Sequence, residues 1–487
     1  MWFCQAVPAR NPPPKRTTAS RNFRNFISVR LVNCEFHPAN KGGAAWKRYI
    51  WRFRSRKCSR LNPFLTLLYY VLKVVVYVSL RAFHGRVSVV NKKLAAHPAP
   101  LIVVSNHPAT LLDPLHAVVN VKGMVFFLAN ASLFKYKLSA WLLNRLYCIP
   151  VERPQDVNGR PLHNEQNFAR ARQHLSKGGK LYVAVEGSSY VERRLRKVKT
   201  GTARITLQTE AAHDFKLGIS ILPTGLNYED PNGFRKPVLV IYDEPIRVAD
   251  FQELYNKDES EAVLALTNAI AERLDKLIIN TADDEEDLLL RQMETLLQNE
   301  EPLPLHRHFL RTKELQKRLR KLAAASPQAY ADFAKRVKDY FEELKSLGLS
   351  DEALITPLCP IRMTLLTFGL PFALAGWLMH WPPSYTIKTL SRSLNKDIHW
   401  MSTYNYVPSL VIYPLFYWLE VEIFTHWLPG WGWAFLAGFV LLGLWWEWYR
   451  KAAGLFRQQV KILTGNREFK SAIAQAKEMR KQLLKVF

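Results

Sequence analysis

The chain has 487 residues, 48% of them hydrophobic, which is enough to bury one sizeable core and leave material for a second region. This composition excludes a generally disordered protein. The formal net charge of +27 invites a nucleic-acid interpretation, but the sequence lacks known binding-fold signatures. A basic balance beside long apolar segments is more typical of proteins that contact anionic membrane surfaces.

The cysteines and histidines indicate neither a disulfide framework nor a metal site. No Cys-x-x-Cys pair occurs among the five scattered cysteines, which suits a reducing compartment. His306 and His308 form the only close histidine pair, and in a charged helical region we expect them on a solvated face. We therefore predict no metal.

The first two segments are basic and then apolar. Residues 1–60 contain only Glu35 as an acidic residue among many arginines and lysines, which predicts a disordered basic arm. An organelle transit segment or a misassigned start codon fits the same pattern. Residues 61–84 are predicted to form a membrane-associated helix. Lys73 lies at mid-span, where a lysine is costly in a bilayer, so we favour a surface helix, with a spanning helix as the alternative.

Residues 85–250 alternate short apolar runs with helical stretches, which predicts a layered α/β fold with flanking helices and a largely parallel sheet. The functional site is then expected at the ends of the strands. The predicted strands are Leu101 to Ser105, Met124 to Ala129, Leu181 to Val185, Ile219 to Thr224 and Val238 to Tyr242, and the predicted helices include Asn164 to Ser176 and Thr202 to Ala212.

The most informative segment follows the first of these strands. His107 comes shortly after the apolar run and Asp113 six positions later, and Pro114 predicts a helix that begins close by. Because Pro108 disfavours the α conformation for His107, we expect the imidazole outside the helix. On one regular helix the two side chains would point in different directions, so the loop must bring them together. A histidine that takes a hydroxyl proton and a carboxylate that orients it suit acyl transfer to that hydroxyl. The structural alternative is a loop histidine with a helix-capping aspartate.

Four segments, taken in order, resemble the motifs of the glycerolipid acyltransferase family, which makes lysophosphatidic and phosphatidic acid. They are Asn106-His107 to Asp113-Pro114, Ile149 to Pro154, Val185 to Ser188 with Lys199 to Gly201, and Ile221 to Tyr228. The resemblance covers roughly residues 85–250, about a third of the chain. Four ordered motifs are far more specific than one histidine and one aspartate.

The resemblance implies roles for particular residues. His107 is the general base and Asp113 its orienting partner, and the acceptor site contains Arg153, Glu186, Gly187, Ser188 and Lys199. In this interpretation Arg153 offers a fork of donors to a phosphate, Lys199 adds charge and Glu186 accepts hydrogen bonds from glycerol hydroxyls. The structural alternatives are a solvated Arg153, a Glu186 that caps a turn and a Lys199 in a basic surface run. No cofactor is implied, because acyl-CoA or acyl carrier protein enters as the donor substrate.

Three departures from the common family pattern limit what the resemblance implies. Five residues, rather than the usual four, separate His107 from Asp113, a spacing shared by some members with proline after the histidine. Val185 replaces a proline, and Ser188-Ser189-Tyr190 stands where a Thr-Arg pair often follows the glycine. The phosphate-binding arginine of that motif is therefore missing, and the possible substitutes are Arg193, Arg194 and Arg196.

The rest of the chain is predicted to be helical. Residues 251–357 have the pattern of charged amphipathic helices without a catalytic constellation, which indicates a packing or partner surface. Residues 358–449 are predicted to be a transmembrane or re-entrant region, and residues 450–487 a basic amphipathic helix. Three uncharged runs approach or exceed the roughly 17 to 25 residues that cross a bilayer: Met363 to Trp381, Met401 to Leu419 and Ile423 to Trp446.

The charges around these runs predict their orientation. Basic residues follow the first and third runs, whereas Glu420 and Glu422 lie between the second and third. The second and third runs should therefore form a hairpin whose tip near Pro429 faces away from the cytoplasm. Acyl thioester donors are cytoplasmic, so we expect the catalytic domain on that side of an integral membrane protein. The first run must then begin and end on one face, with a re-entrant or surface-lying bend at Gly369 to Pro371.

Together these features predict a membrane-bound O-acyltransferase of phospholipid biosynthesis, whose acceptor is glycerol-3-phosphate or dihydroxyacetone phosphate. An acceptor that already carries one chain, 1-acylglycerol-3-phosphate, is the alternative. The alternative from another class is a non-catalytic membrane protein that binds lipid or acts as a scaffold. The expected partners are the lipid bilayer, the glycerol phosphate and the acyl-CoA or acyl carrier protein, with no nucleic acid.

Overall fold

The computed structural model describes residues 63–98, 100–153, 156, 160–161, 163–394 and 397–485, so the predicted basic arm lies outside the described residues. Residues 61–487 form one compact unit. Its strands are β1 (Val87–Val90), β2 (Leu101–Ser105), β3 (Phe126–Asn130), β4 (Cys148–Val151), β5 (Lys180–Ala184), β6 (Ser220–Tyr228), β7 (Val238–Tyr242) and β8 (Ile246–Arg247). The helices of the same region are α1 (Pro63–His84), α2 (Leu112–Val118), α3 (Lys137–Arg145), α4 (Glu165–Ser176), α5 (Gly201–Ala211), α6 (Gln252–Lys257) and α7 (Glu259–Leu277).

The strands form a single mixed sheet. Seven of them follow the order β1-β7-β6-β2-β5-β3-β4, and β8 pairs with β6. Strand β2 runs parallel to β5 and β6, and β3 runs parallel to β4 and β5, whereas β7 and β8 are antiparallel to β6. The predicted α/β fold with a largely parallel sheet is confirmed. Because β2, β4, β5 and β6 all point the same way, their carboxyl ends share one edge of the sheet.

Helices cover both faces of this sheet. Every residue of β2 is buried, and its side chains alternate between two hydrophobic clusters. Leu101 and Val103 pack in the cluster that includes Leu112 of α2. Ile102 and Val104 pack in the cluster that includes residues of α4, α5 and α7. Strand β2 is therefore a central strand that is buried on both faces of the sheet, and this packing fixes the position of its carboxyl end.

A helical layer follows the sheet domain within the stretch 251–357, but α6 and α7 at the start of that stretch pack against the sheet and do not belong to the layer. It contains α8 (Asp284–Glu300), α9 (Leu305–Ala325), α10 (Pro327–Ser346) and α11 (Asp351–Ile355). The last helix of the chain, α16 (Arg467–Leu484), joins the same hydrophobic core through Ile473 and Leu483. Arg480 of α16 is buried and pairs with Asp351 at 2.9 Å, which ties the carboxyl end of the chain to the layer.

The remaining apolar segments form α12 (Pro360–Phe368), α13 (Leu370–Leu394), α14 (Met401–Trp427) and α15 (Gly432–Thr464). Helices α12 and α13 meet at Gly369 with a bend of 58°, at the position where glycine and proline predicted one. Helices α14 and α15 form the predicted hairpin, since Phe424 contacts Phe435 and Phe439 across the turn at Leu428–Trp431. Among the described residues, α1 and Ile398–Trp427 are long and apolar enough to cross a membrane, and the bent pair α12–α13 makes a third if it counts as one span.

Two predicted boundaries differ from the structure. The run Ile423 to Trp446 is not one segment, because the turn at Leu428–Trp431 assigns its first residues to α14 and the rest to α15. Pro429 and Gly430, the latter with φ +88°, interrupt the helix there. Helix α15 also continues past the expected boundary at residue 449 to Thr464.

The lysine in the middle of α1 forms hydrogen bonds with the sheet domain. The Lys73 ammonium donates to the carbonyl oxygens of Val121 and Gly123, the latter at 3.1 Å. The opposite side of α1 exposes apolar side chains, including Phe64, Leu67 and Val74. One side of the helix is therefore bound to the sheet domain, and the other is open to an apolar environment.

Candidate active site

Three loops meet at the common edge of the sheet. His107 follows β2, Glu186 follows β5 and Arg153 follows β4, while Tyr228 ends β6. The carboxyl ends of these strands therefore bring together residues that are far apart in the sequence, as expected for an open α/β sheet.

The structure brings together the histidine and the aspartate for which the sequence predicts a catalytic role. Asp113 lies in the first turn of α2, and His107 lies outside the helix, in the loop that precedes it. The His107 Nδ1 atom is 2.9 Å from Asp113 Oδ2. The Asp113 side chain is fully buried, whereas the His107 side chain is 18% exposed. Because Asp113 engages Nδ1, Nε2 is the ring nitrogen that can receive a proton from a substrate.

Asp113 is held by two further donors. Its Oδ2 atom also accepts the backbone N–H of Ala109 at 2.7 Å, and its Oδ1 atom accepts the hydroxyl of Tyr228 at 2.8 Å. Burial raises the pKa of Asp113, while the bonds from His107, Ala109 and Tyr228 act in the opposite direction. The three donors stabilise the ionised carboxylate at a site from which water is excluded.

The contribution of Tyr228 has no signal in the sequence. The residue lies in the fourth motif, but its type indicates no role, because a tyrosine at a strand end is ordinary. Its pairing with Asp113 spans 115 positions in the sequence and depends on the register of β6 against β2. No local pattern carries that information.

The loop between His107 and α2 is fixed in an uncommon conformation. The side chain of Asn106 exchanges two hydrogen bonds with the backbone of Leu226 on β6, each 2.9 Å long. Thr110 has φ 45°, a left-handed conformation that is rare for a residue other than glycine. Its N–H donates to Ser189 Oγ at 3.0 Å. Contacts from other parts of the chain thus hold the histidine loop against backbone strain.

Glu186 binds the backbone of two loops. Its Oε1 atom accepts the N–H of His107 at 2.9 Å, and its Oε2 atom accepts the N–H of Arg196 at 3.1 Å. Burial raises the pKa of Glu186 to about 7, although both backbone bonds favour the ionised form. The geometry matches the turn-capping alternative more closely than a carboxylate left open for glycerol hydroxyls.

Gly187, Ser188 and Arg153 lie together. Gly187 has φ +75°, which glycine adopts without the penalty that a side chain would bring. Arg153 Nη1 donates to Gly187 O at 3.0 Å and contacts Ser188 Oγ at 3.4 Å. The other edge of the guanidinium binds Asp156 in bidentate fashion, at 2.6 and 3.0 Å. The donor fork predicted for a phosphate therefore holds an aspartate in this structure.

Lys199 lies beside the same glycine. Its Cγ atom would be 3.7 Å from a Cβ added at Gly187, and its side chain is exposed. Among the described residues, the structure gives its ammonium no hydrogen-bond partner or ion pair. Lys199 is thus a free cation next to the loop that Arg153 binds.

The possible substitutes for the missing arginine differ in availability. Arg193 is engaged by Asp287 at 2.5 Å and Glu294 at 2.7 Å, so it joins the loop after β5 to α8. Arg194 pairs with the exposed Asp284. Arg196 pairs with Glu192, and its guanidinium lies 4.8 Å from the centre of the Tyr190 ring. Arg193 is the least available of the three for a substrate, because two carboxylates already neutralise it.

Comparison with known proteins identifies the family. Residues 86–227 match the family model described as Acyltransferase. An uncharacterized acyltransferase of Schizosaccharomyces pombe is 28% identical over 120 residues, which cover 24% of this chain and 18% of the relative. Glycerol-3-phosphate O-acyltransferase 1 of Saccharomyces cerevisiae is 26% identical over 145 residues, which cover 28% of this chain and 19% of the relative.

Among solved structures, the 1-acyl-sn-glycerophosphate (LPA) acyltransferase PlsC of Thermotoga maritima matches at 20% identity with a TM-score of 0.30, over 43% of this chain and 80% of that one. The chain spans about a fifth of the length of the curated relatives it matches. The matched residues include both members of the His107–Asp113 pair, and the family predicted from the four motifs is confirmed. Residues 86–227 of this chain therefore form a domain of the acyltransferase family.

Proposed function

We propose that this protein transfers a fatty acyl group from an acyl thioester to a hydroxyl of a glycerol phosphate. The observation that carries the proposal is the pairing of His107 with a fully buried Asp113 at 2.9 Å, on a domain of the acyltransferase family. The aspartate has two further hydrogen-bond donors, and the imidazole is partly open to solvent. This arrangement suits general-base catalysis.

The proposed reaction is a direct transfer. The acceptor hydroxyl attacks the thioester carbonyl and gives its proton to His107 Nε2, and the buried charge of Asp113 stabilises the imidazolium. The tetrahedral intermediate then collapses to the ester and expels the thiolate, which takes the proton back from His107. One thioester and one alcohol yield one ester and one thiol, and the donor is either acyl-CoA or acyl carrier protein.

For the acceptor we propose glycerol-3-phosphate or dihydroxyacetone phosphate, with 1-acylglycerol-3-phosphate as the second choice. The relative from Saccharomyces cerevisiae supports this order through its name. Arg153 and Lys199 both lie at Gly187, and two cations at one loop favour a dianionic phosphate. In this proposal the phosphate displaces Asp156 from the Arg153 fork.

We also propose that the protein is integral to a membrane, with the sheet domain on the cytoplasmic side. In the part of the chain that the structure describes, two or three helices are long and apolar enough to cross a bilayer. Leu138 and Trp141 of α3 and Tyr136 just before it are exposed, and the Arg145 guanidinium lies 3.9 Å from the centre of the Trp141 ring. Aromatic and cationic side chains of this kind favour the interface of an anionic membrane.

An acceptor panel tests this function. Membranes that contain the wild-type protein or His107→Ala are supplied with labelled acyl-CoA or acylated carrier protein, and with glycerol-3-phosphate, dihydroxyacetone phosphate or 1-acylglycerol-3-phosphate. We expect wild-type membranes to form the ester of glycerol-3-phosphate well above the His107→Ala level. If no acceptor is acylated above that level, the non-catalytic lipid-binding or scaffold protein becomes the better interpretation.

A further inference from the structure

The first turn of α14, nearly 300 positions after His107, contacts the histidine loop. Ser402 Oγ donates to the carbonyl oxygen of Ala109 at 3.2 Å. Thr403 Oγ1 accepts the N–H of Leu111 at 3.2 Å and also forms a hydrogen bond with the hydroxyl of Thr110. These bonds reach three consecutive residues of the loop that links the base to its aspartate.

His399, two residues before α14, contacts the second loop of the site. His399 Nδ1 accepts the N–H of Val191 at 3.0 Å, and its ring packs edge-on against Tyr190 with centroids 5.4 Å apart. Tyr190 in turn donates its N–H to the carbonyl oxygen of His107 at 3.2 Å. The loops after β2 and β5 are therefore bound by the same short segment, residues 398–403.

Helix α14 is itself anchored one turn further on. Tyr406 is 1% exposed, and its hydroxyl is 2.6 Å from Ser79 Oγ of α1. Its ring also meets Phe83 of α1, with centroids 5.5 Å apart. The segment 398–403 is thus placed by an apolar helix that packs against another apolar helix, and its position depends on how α14 docks.

The loop that this segment binds is the one that carries strain. Thr110 is in the left-handed region, which is unfavourable for a threonine, so relaxation of the loop to another conformation would lower its backbone energy. The side-chain hydroxyls of Ser402 and Thr403 satisfy backbone and side-chain polar groups at Ala109, Thr110 and Leu111. Without them the loop between His107 and Asp113 can adopt other conformations, and small displacements of a catalytic base are costly for the rate.

We propose that residues 399, 402 and 403 are positioning residues, which hold the catalytic loops in their active arrangement and couple catalysis to the docking of α14. This inference rests on the proposed acyl-transfer function for its kinetic consequences, but not for its structural ones. The hydroxyls of Ser402 and Thr403 bind loop residues on either side of Thr110, so their loss leaves the substrate-binding residues intact. We therefore expect an effect on kcat rather than on KM.

The kinetic test uses Thr403→Val, which removes the hydroxyl and keeps the shape. Its matched control is Thr425→Val on the same helix, where the hydroxyl donates only to α14 carbonyl oxygens, those of Val421 and Glu422. We expect Thr403→Val to lower kcat by about tenfold or more while both KM values stay within about twofold. Thr403→Ser, which restores the hydroxyl, should recover most of kcat, and Thr425→Val should match the wild type.

Variants of His399 test the contact with the second loop by the same kinetic comparison. His399→Asn retains an acceptor near the Nδ1 position, whereas His399→Leu removes it, so only the leucine variant should lose kcat.

A second test does not depend on activity. Amide hydrogen exchange in lipid nanodiscs is measured for residues 107–112 in each Thr403 variant. Faster exchange in Thr403→Val, but not in Thr403→Ser or Thr425→Val, supports the positioning role even if no acyl transfer is found, in which case only the proposed function fails. Wild-type exchange and wild-type kcat in Thr403→Val would overturn the inference, as would equal losses in Thr425→Val.

Discussion

Replacing Tyr228 with phenylalanine tests the electrostatics of the catalytic pair. The Tyr228 hydroxyl donates to Asp113 Oδ1 at 2.8 Å, and both side chains are buried. The substitution removes one hydrogen-bond donor from a buried carboxylate. The other two bonds to Asp113, from His107 and Ala109, go to Oδ2 and remain.

The size of the effect follows from the charge of the acceptor. A hydrogen bond to an ionised group contributes about 1.5 to 3 kcal/mol, and one pKa unit corresponds to about 1.4 kcal/mol. Burial already raises the pKa of Asp113, and the Tyr228 bond opposes that rise. Loss of the bond removes an interaction that lowers the pKa of Asp113, so this carboxyl holds its proton up to a higher pH and loses the charge that stabilises an imidazolium. We expect the acid limb of the kcat profile to move up by about one to two pH units.

The assay measures kcat for acyl transfer between about pH 5.5 and 9. Tyr228→Phe should fall furthest below the wild type at low pH and approach it at high pH. Tyr242→Phe is the matched control, because this buried tyrosine donates to the carbonyl oxygen of Ala117 at 2.9 Å and does not contact Asp113. A Tyr228→Phe profile reduced by one constant factor at every pH, or one that coincides with the control, would refute the reasoning.

Three other variants probe the base, the acceptor site and the membrane hairpin. His107→Ala should lower kcat by about 10²- to 10⁴-fold in membranes that contain normal amounts of protein, and retention of most of the turnover would exclude the histidine as base. Arg153→Lys keeps the charge and loses the fork, so the KM of the acceptor should rise more than that of the donor, and equal rises would contradict acceptor binding. A cysteine placed at Pro429 should react with an impermeant reagent only from the side opposite the sheet domain, and labelling from the cytoplasmic side would invert the predicted hairpin.

The parts of the fold that could be predicted from the sequence are those that packing on both faces makes uniformly apolar. Strands β2 and β7 have the predicted bounds, and all their residues are buried. Strand β6 is longer than predicted: it ends at Tyr228 rather than at Thr224, because its antiparallel pairing with β7 continues through Gly225 and Asn227. Glycine and asparagine are poor strand formers, so only the tertiary pairing reveals this extension.

The two edge strands β1 and β4 had no clear sequence signal. Strand β4 contains Pro150, which argues against a central strand but is tolerated at an edge, and β4 ends the sheet beside β3. Strand β1 is four residues long and only partly buried. Short edge strands have few hydrophobic positions, so their pattern does not stand out from that of a loop. Arg153 is nevertheless placed by β4, which shows that a weakly patterned element can fix a site residue.

The catalytic site divides in the same way into local and distant parts. His107 and Asp113 are six positions apart, so their pairing could be predicted from a local pattern together with the resemblance of the four motifs. Tyr228 and Thr403 could not be predicted, because their contacts depend on strand register and on the docking of a distant helix.

Two features of the histidine loop cost free energy: Thr110 is held in the left-handed region, and Asp113 is fully buried. Such features persist only where surrounding contacts outweigh their cost. Part of the compensation lies inside the family-matching residues 86–227, in the bonds from Asn106 and Ser189. The rest lies outside them, in the hydroxyls of Tyr228, Ser402 and Thr403. A fragment limited to residues 86–227 would keep both His107 and Asp113 and the bonds from Asn106 and Ser189, but lose the contacts from Tyr228, Ser402 and Thr403. The segments beyond the domain therefore contribute contacts to the site itself.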